Sequence, residues 1–245
     1  MTPARAAVLE RVAASVLALP ALGTVRVGID GVDGAGKTMF GDELRDRLAP
    51  SGRPVIRATV DGFHNPKPVR YRRGRSSPEG FYRDSYDYAT LQRVLLDPLG
   101  PGGTGQFRRA VFDVDADVAV DAPEEQAVPG SILLLDGLFL HRSELRHHWD
   151  YSIFLRVEWI RNHRVRDRPE PGHHRYHEGQ NIYFRECEPW QHASIVIDND
   201  DLAAPFIVSS GEALEPGSRT WLSTVAPCRS SAEISFSPTA ASRPP

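Results

Sequence analysis

The chain has 245 residues, 40% of them hydrophobic and 25% charged, so it can bury a core of the size that one α/β domain needs. Its net charge of −3 argues against a nucleic-acid-binding protein, and its longest apolar runs fall short of the ~18 residues of a membrane-spanning helix. Two cysteines, Cys187 and Cys228, make neither a disulfide framework nor a zinc site. We therefore expect a cytoplasmic protein with no membrane or nucleic-acid partner.

The N-terminal segment predicts an amphipathic helix over residues 4–19. Its apolar positions recur at helical spacing, at Val8, Leu9, Val12, Ala13, Val16 and Leu17. The segment imitates a signal peptide in its apolar character. However, Glu10 and Arg11 adjoin the apolar stretch, which favours a helix lying on the domain.

Alternating strands and helices follow. Five short apolar runs are typical of strands covered on both faces of a parallel sheet, namely Val25–Asp30, Pro54–Val60, Ser131–Asp136, Tyr151–Val157 and Ala193–Asp198. Helical patterns separate them, at Lys37–Leu48, Tyr88–Leu96, Ser143–Trp149 and Glu158–Arg166. The alternation predicts a doubly wound α/β fold. Residues 107–120 predict a short hairpin or an irregular excursion.

The composition changes after about Pro205, where Ser, Pro, Ala and Thr dominate and periodic apolar residues disappear. A segment of that kind cannot bury enough apolar surface to order itself. We therefore predict one domain over residues 1–208 and a disordered tail over residues 209–245.

The segment Gly31-Val-Asp-Gly-Ala-Gly-Lys-Thr38, here called the phosphate loop, fits the pattern G-x-x-x-x-G-K-[ST] between a predicted strand and a predicted helix. Lys37 is expected to reach the β- and γ-phosphates of a nucleotide, and Thr38 to offer its hydroxyl to Mg²⁺. Only Lys37 and Lys67 are lysines among 29 basic Lys and Arg residues. The predicted nucleotide-binding positions are Gly31, Asp33, Gly34, Ala35, Gly36, Lys37 and Thr38. The alternative is a Gly-rich turn without function.

Two carboxylates end predicted strands. Asp61 follows the second strand, where it can accept a proton from an acceptor hydroxyl or simply cap the next turn. Asp136 ends the aliphatic run Ile132–Leu135, as a strand that delivers one carboxylate to Mg²⁺ would. The sequence Asp136-Gly137 is also a turn signature.

Arginines cluster in two places. Arg161, Arg164, Arg166 and Arg168 follow the fourth strand and could grip a transferring phosphoryl group, or form a solvated helix face. Arg70, Arg72, Arg73 and Arg75 could form a lid over an acceptor or an exposed loop. His173, His174 and His177 lack the matched partners that a metal site needs.

The motifs together resemble the group of P-loop kinases that contains uridine kinase, phosphoribulokinase and bacterial pantothenate kinase. The matching pieces, in order, are Gly31–Thr38, Asp61–His64, Tyr82–Asp87, Leu135–Gly137, Arg164–Asp167, Arg175–Gln180 with Tyr183, and Ile197–Asn199. The resemblance implies a P-loop NTPase three-layer fold with a five-stranded parallel sheet and lid segments. It implies that Asp61 and Lys37 are catalytic residues, with Asp61 as the base-like residue. It also implies that Arg164 and Arg166 lie in the lid over the triphosphate.

The matched motifs further imply acceptor-side residues, which are His64, Tyr82, Tyr86, Arg175 and Gln180. The chain departs from the uridine kinase pattern at Phe112-Asp113, where the expected Tyr and a following His are absent. It also has Asp136 where the group usually has Glu, and its lid arginines lie one residue closer together.

We therefore expect a kinase that uses ATP or another NTP with Mg²⁺ and phosphorylates a small molecule. The expected acceptor is a nucleoside such as uridine. A pantothenate-like acid or a sugar is the alternative acceptor, and the arginines at 70–75 would suit an anion. An NTP-dependent switch is the alternative class. Whether the chain forms a homo-oligomer stays an open question.

Overall fold

The computed structural model describes residues 1–157 and 172–208. In chain order the described strands are β1 Val25–Gly31, β2 Val55–Thr59, β3 Gln106–Phe107, β4 Phe112–Asp113, β5 Val118–Ala119, β6 Glu125–Gln126, β7 Ile132–Asp136, β8 Tyr151–Arg156, β9 Ile195–Asp198 and β10 Phe206–Val208. The described α-helices are α1 Pro3–Leu17, α2 Lys37–Leu48, α3 Lys67–Arg70, α4 Pro78–Asp84, α5 Tyr88–Leu91, α6 Gly172–Cys187 and α7 Pro189–His192.

The central sheet has the strand order β10-β9-β8-β1-β7-β2. The five strands predicted from sequence are confirmed, and all of them run parallel. The sheet also contains a sixth strand, β10, which pairs antiparallel with β9. The sequence did not predict β10 because it has three residues, two of them exposed, and lies where the apolar pattern fades.

Helices cover both faces of this sheet, so the predicted three layers are confirmed. Along β7, Ile132 and Leu134 pack into a core with α1 and α2. Leu133 and Leu135 point the other way, into a core shared with α4, α5 and α6. Successive side chains of a strand alternate between faces, and a run that is apolar throughout must be covered twice.

The helix predictions were correct in part. α2 has the predicted bounds, α1 lies within a residue or two of them, and the pattern at Tyr88–Leu96 forms α5 followed by a π-helical turn at Gln92–Leu96. Ser143–Trp149 was wrong as a helix, because it holds turns and a short 3₁₀ helix at Arg146–His148. Ser143 and the guanidinium of Arg142 both bond the Glu144 carboxylate, and such local bonds compete with helix formation. Glu158–Arg166 lies outside the described residues.

Two further elements concern the site. The predicted hairpin forms where β4 pairs with β5, and it packs beside the turn that follows β2. Helix α6 was not predicted, because its sequence is polar and follows a Pro-rich segment. Its buried or half-buried positions Tyr176, Gln180, Tyr183 and Cys187 nevertheless have helical spacing.

The strand order β1-β7-β2 determines where the predicted site residues meet. The carboxyl ends of adjacent parallel strands lie at one edge of a sheet, where α/β proteins bind their ligands. The phosphate loop follows β1, Asp136 ends β7, and Asp61 follows β2. These three features therefore lie side by side. Within the described residues, no helix is both long and apolar enough to cross a membrane.

Candidate active site

The phosphate loop connects β1 to α2 through backbone conformations that suit glycine. Gly36 has a φ of 80° and precedes α2, so the loop amides and the positive end of the helix point to the same place. A side chain at Gly31 would bring its Cβ within 2.4 Å of the Leu155 carbonyl oxygen. The residue types of the loop are therefore those that its geometry requires.

Lys37 places its ammonium inside this loop. Its Nζ donates to the carbonyl oxygens of Gly31 at 3.2 Å and Val32 at 2.9 Å. Burial lowers the pKa of Lys37, and the nearby carboxylates, Asp33 foremost, oppose that shift. The loop thus holds the positively charged Lys37 ammonium group where it can contact phosphate oxygens.

Thr38 and Asp136 meet at the first turn of α2. The Thr38 hydroxyl donates to Asp136 Oδ2 at 2.8 Å, and Asp136 is buried at the end of β7. A hydroxyl and a carboxylate are hard oxygen ligands of the kind that Mg²⁺ prefers. Their position beside the phosphate loop fits a Mg²⁺ ion shared with a nucleotide.

Asp61 lies in the 3₁₀ turn Val60–Phe63, and its carboxylate is 60% exposed. The Tyr86 hydroxyl donates to Asp61 Oδ1 at 3.1 Å. The ring of His64 packs on that of Tyr86 with centroids 4.5 Å apart. Thr59 caps the turn, since its hydroxyl accepts from the Asp61 amide, so the Asp61 carboxylate is not the cap. We call Asp61, His64 and Tyr86 the acceptor-side cluster.

In the acceptor-side cluster, the surroundings favour the neutral forms of His64 and Tyr86. Burial lowers the pKa of His64, against the opposing effect of the Asp61 carbonyl and carboxylate. Burial and the Asp61 carboxylate raise the pKa of Tyr86 well above its usual value. Tyr86 is therefore a hydrogen-bond donor at neutral pH.

Helix α6 supports the phosphate loop from below. Gln180 is buried, and its Oε1 accepts from the Asp33 amide at 2.8 Å while its Nε2 donates to the Tyr176 carbonyl. One turn on, the Tyr183 hydroxyl donates to the buried carboxylate of Asp30, which also accepts from the Gly31 amide at 2.7 Å. Gln180 thus contacts the protein at both ends of its amide, which indicates a supporting position and not an acceptor contact.

Asp30 has a further buried partner. The His141 ring nitrogen Nδ1 lies 2.8 Å from Asp30 Oδ2, and the His141 amide donates to the same oxygen at 3.1 Å. Asp30, His141 and Tyr183 therefore form one network directly under the first residue of the phosphate loop.

The other side of the loop is supported by the end of β9. Asn199 Nδ2 donates to the Ala35 carbonyl at 2.7 Å. The guanidinium of Arg5, on α1, donates to Asn199 Oδ1 at 3.3 Å and to Glu43 at 2.7 Å. Helix α1 is thereby connected to the loop.

The arginines at 70–75 contact the protein itself. Arg70 pairs with Asp117 of the β4–β5 hairpin at 2.7 Å, and Arg72 and Arg73 both pair with the buried Asp84. Burial opposes the ionisation of Asp84, but the two guanidiniums hold its pKa below the usual value. Two carboxylates thus pair with three of the four arginines, which leaves about half of the segment's positive charge unbalanced.

Two predicted acceptor residues lie inside the fold. Tyr82 is buried with its hydroxyl 3.3 Å from the Cys187 sulfur. Arg175 is buried and donates to backbone carbonyls of the 70–77 segment, at 3.1 Å for Ser77. It also stacks on the Tyr71 ring at 5.1 Å. Both predicted acceptor residues are therefore buried and contact other parts of the protein.

Arg164 and Arg166, predicted as lid residues, lie outside the described residues. In the parts of the chain that the structure describes, no three His, Cys, Asp or Glu side chains are grouped to hold a metal ion.

Sequence reasoning missed several site residues. Arg57 contacts Asp136 from β2, and its signal is a charged residue inside an apolar strand pattern. Asp30 has the same signal at the end of β1. His141 and Arg5 carry none, because only the fold brings them to the phosphate loop.

No protein-family model matches the chain, and no curated protein matches it. Solved structures do. A protein from Bacillus stearothermophilus described as a possible uridine kinase superposes with a TM-score of 0.63 at 22% identity, covering 77% of this chain and 96% of that one. A candidate fructose transport system kinase from Silicibacter sp. TM1040 superposes with a TM-score of 0.57 at 22% identity, covering 74% and 94%.

Both neighbours are described as kinases, one as possible and one as a candidate, and the superpositions span nearly all of each. The resemblance that the motifs predicted is confirmed at the level of the fold. The chain has the α/β fold of the P-loop kinase group.

Proposed function

We propose that this protein is a kinase that transfers the γ-phosphate of ATP, or of another NTP, with Mg²⁺, to a hydroxyl of a small molecule. The observation that supports this proposal is that three features lie side by side at one edge of the sheet. They are the phosphate loop with Lys37, the Thr38–Asp136 pair, and the exposed Asp61 side chain. A nucleotide, a cation and an acceptor hydroxyl each have a matching group there.

The residues divide the work as follows. Backbone amides of the phosphate loop and Lys37 hold the phosphates, and Thr38 and Asp136 hold the cation, which neutralises phosphate charge when bound. Asp61 orients the acceptor hydroxyl and takes its proton. The Tyr86 hydroxyl fixes one oxygen of Asp61, which leaves the other for the acceptor. The resemblance assigns Arg164 and Arg166, which lie outside the described residues, to the triphosphate.

An exposed Asp61 favours a kinase over a nucleotide switch, because a switch has to position a water and not a second substrate. A nucleoside such as uridine is the preferred acceptor, since the motifs resemble uridine kinases most closely. Asp117 and Asp84 balance only two of the four arginine charges at 70–75, so an anionic acceptor such as a pantothenate-like acid stays an alternative. A neutral sugar is the other alternative.

The test is an acceptor screen with ATP and Mg²⁺ that measures phosphorylated product and free phosphate together. Nucleosides, neutral sugars and hydroxy acids form the three arms. We expect product in the nucleoside arm at one equivalent per ATP consumed. Free phosphate alone in every arm would favour the switch, and product only in the sugar or acid arm would correct the acceptor class.

A further inference from the structure

The strand β2 carries an arginine that reaches the cation site from behind. Arg57 Nη2 donates to Asp136 Oδ1 at 2.8 Å, and Nη1 donates to the Leu134 carbonyl at 2.9 Å. The Arg57 side chain is only 15% exposed and that of Asp136 only 4%. Two bonds in such an enclosed place fix the guanidinium relative to β7, because charge-assisted bonds are strong and directional.

The two oxygens of Asp136 are thereby given different partners. Oδ1 accepts from Arg57, and Oδ2 accepts from the Thr38 hydroxyl at 2.8 Å. The carboxylate cannot rotate without breaking one of these bonds. Oδ2 is thus the oxygen that contacts Thr38 at the end of the phosphate loop.

Helix α2 is shaped to admit the guanidinium. A Cβ at Gly41 would lie 2.7 Å from Arg57 Cζ and from Nη2. Asp42, the next residue, accepts from Arg57 Nε at 3.2 Å. Glycine in the middle of a helix is less favourable than alanine. Gly41 therefore gives up helix stability at a position where a side chain would displace Arg57.

We propose that Arg57 is a positioning residue for the divalent-cation site. Its guanidinium holds Asp136 Oδ1 so that Asp136 presents a single, fixed oxygen, Oδ2, beside Thr38. The proposal rests on the proposed function, since it assigns Arg57 to the Mg²⁺ site of that kinase. A purely structural arginine, which only ties β2 to β7, is the alternative.

The test measures how much Mg²⁺ tightens nucleotide binding. Calorimetry gives the Kd of a non-hydrolysable ATP analogue in EDTA and in saturating Mg²⁺, and the ratio of the two is the coupling between cation and nucleotide. The variants are Arg57→Lys, which keeps the charge but not the fork, and Gly41→Ala, which displaces the guanidinium without changing any charge or ligand. Asp42→Asn is the matched control, because it alters the Arg57 contact that faces away from Asp136.

We expect Arg57→Lys to lower the ratio about tenfold, within the ~10–100-fold that losing the partner of a metal ligand typically costs. Gly41→Ala should lower it in the same direction, and Asp42→Asn should leave it unchanged. The Kd in EDTA should stay at the wild-type value in all three. Gly41→Ala carries the test even if Arg57→Lys fails to fold, since alanine favours the helix.

An unchanged or increased ratio in Gly41→Ala and in folded Arg57→Lys would overturn the proposal, and a lowered melting temperature with an unchanged ratio would identify the structural alternative. The ratio measured for the wild-type protein distinguishes a failure of the proposed function from a failure of the role of Arg57. Wild-type protein without any Mg²⁺ coupling overturns the proposed function as well. Wild-type coupling that the variants retain overturns only the role of Arg57.

Discussion

At the scale of single residues, chemistry depends on which side chains are still free to meet a substrate. Lys37 and Asp61 are placed for that: Lys37 within the phosphate loop, and Asp61 with its carboxylate largely exposed. Gln180 and Arg175 belong to the same motifs but use their polar atoms on backbone groups of the protein. A motif therefore predicts the part of the fold in which a residue lies better than it predicts whether that residue contacts a ligand.

Asp61→Asn should bind nucleotide almost normally and transfer phosphate poorly. The amide is nearly the same size but cannot accept a proton at neutral pH, and general-base assistance is typically worth ~10²–10⁴ in rate. The loss should appear in kcat and not in nucleotide affinity, because the phosphate loop is untouched. The measurement is acceptor-dependent phosphorylation together with nucleotide binding.

Asp87→Asn is the matched control for Asp61→Asn. Asp87 caps α5 through the Thr90 amide, and asparagine caps about as well as aspartate. Its kcat should equal that of the wild type. A wild-type kcat for Asp61→Asn as well, with a lowered melting temperature, would leave Asp61 as a structural residue.

At the scale of elements, α6 is the part of the candidate site that the sequence concealed. It packs against α4, supports the phosphate loop through Gln180 and Tyr183, and holds the 70–77 segment through Arg175. One helix thus contacts the nucleotide side and the acceptor side. Its polar composition, which obscured it as a helix, consists of the side chains that make these contacts.

Gln180→Leu should weaken nucleotide binding. The variant removes the hydrogen bond between the half-buried Asp33 amide and the Gln180 oxygen, and losing such a bond typically costs ~0.5–1.5 kcal/mol. Part of that cost should fall on the loop conformation that binds phosphate, so we expect nucleotide Kd to rise several-fold, measured by calorimetry. Gln191→Leu serves as the control, because Gln191 is exposed on α7 and bonds only its neighbour Glu188 among the described residues. Equal Kd values for the two variants would contradict a supporting role for α6.

Elements with strong local signals were predictable, and those that depend on distant partners were not. β1, the phosphate loop and α2 follow from a motif whose glycines, lysine and threonine have local reasons. Thr38 and Asp136 were both predicted as Mg²⁺ ligands from their motifs, and the neighbouring positions of β1 and β7 in the sheet bring them together. Arg57 had one signal, a charged residue inside an apolar strand pattern. Arg5 and His141 had none, because each reaches the site across 194 or 111 residues of sequence. Ser143–Trp149 was wrong because side-chain bonds to Glu144 outweighed a helical pattern.

At the scale of the whole molecule, the carboxyl ends of β1, β7 and β2 bring the phosphate loop, Asp136 and Asp61 together. α1 also takes part, since Arg5 connects it to Asn199 and so to the Ala35 carbonyl. The described domain thus holds its phosphate loop from three directions, by α1 and β9, by α6, and by the sheet itself.

Deleting residues 209–245 should change the melting temperature and the activity very little. The segment has too few periodic apolar residues to contribute to a core, and the last described strand of the sheet ends at Val208. Scanning calorimetry and the phosphotransfer assay on the truncated chain provide the check. A fall of several degrees would mean that the segment packs on the domain.

If the phosphate loop binds and activates the phosphate that is transferred, its lysine should be needed for phosphoryl transfer to the acceptor. Acceptor-dependent product formation by Lys37→Ala measures this directly. The loop backbone should persist while the charge on the transferring phosphate is lost, so the rate should fall by ~10²–10³ with an unchanged melting temperature. Lys67→Ala removes the other lysine, which is exposed on α3, and should keep the wild-type rate. A Lys37→Ala protein that forms product as fast as Lys67→Ala would contradict the account.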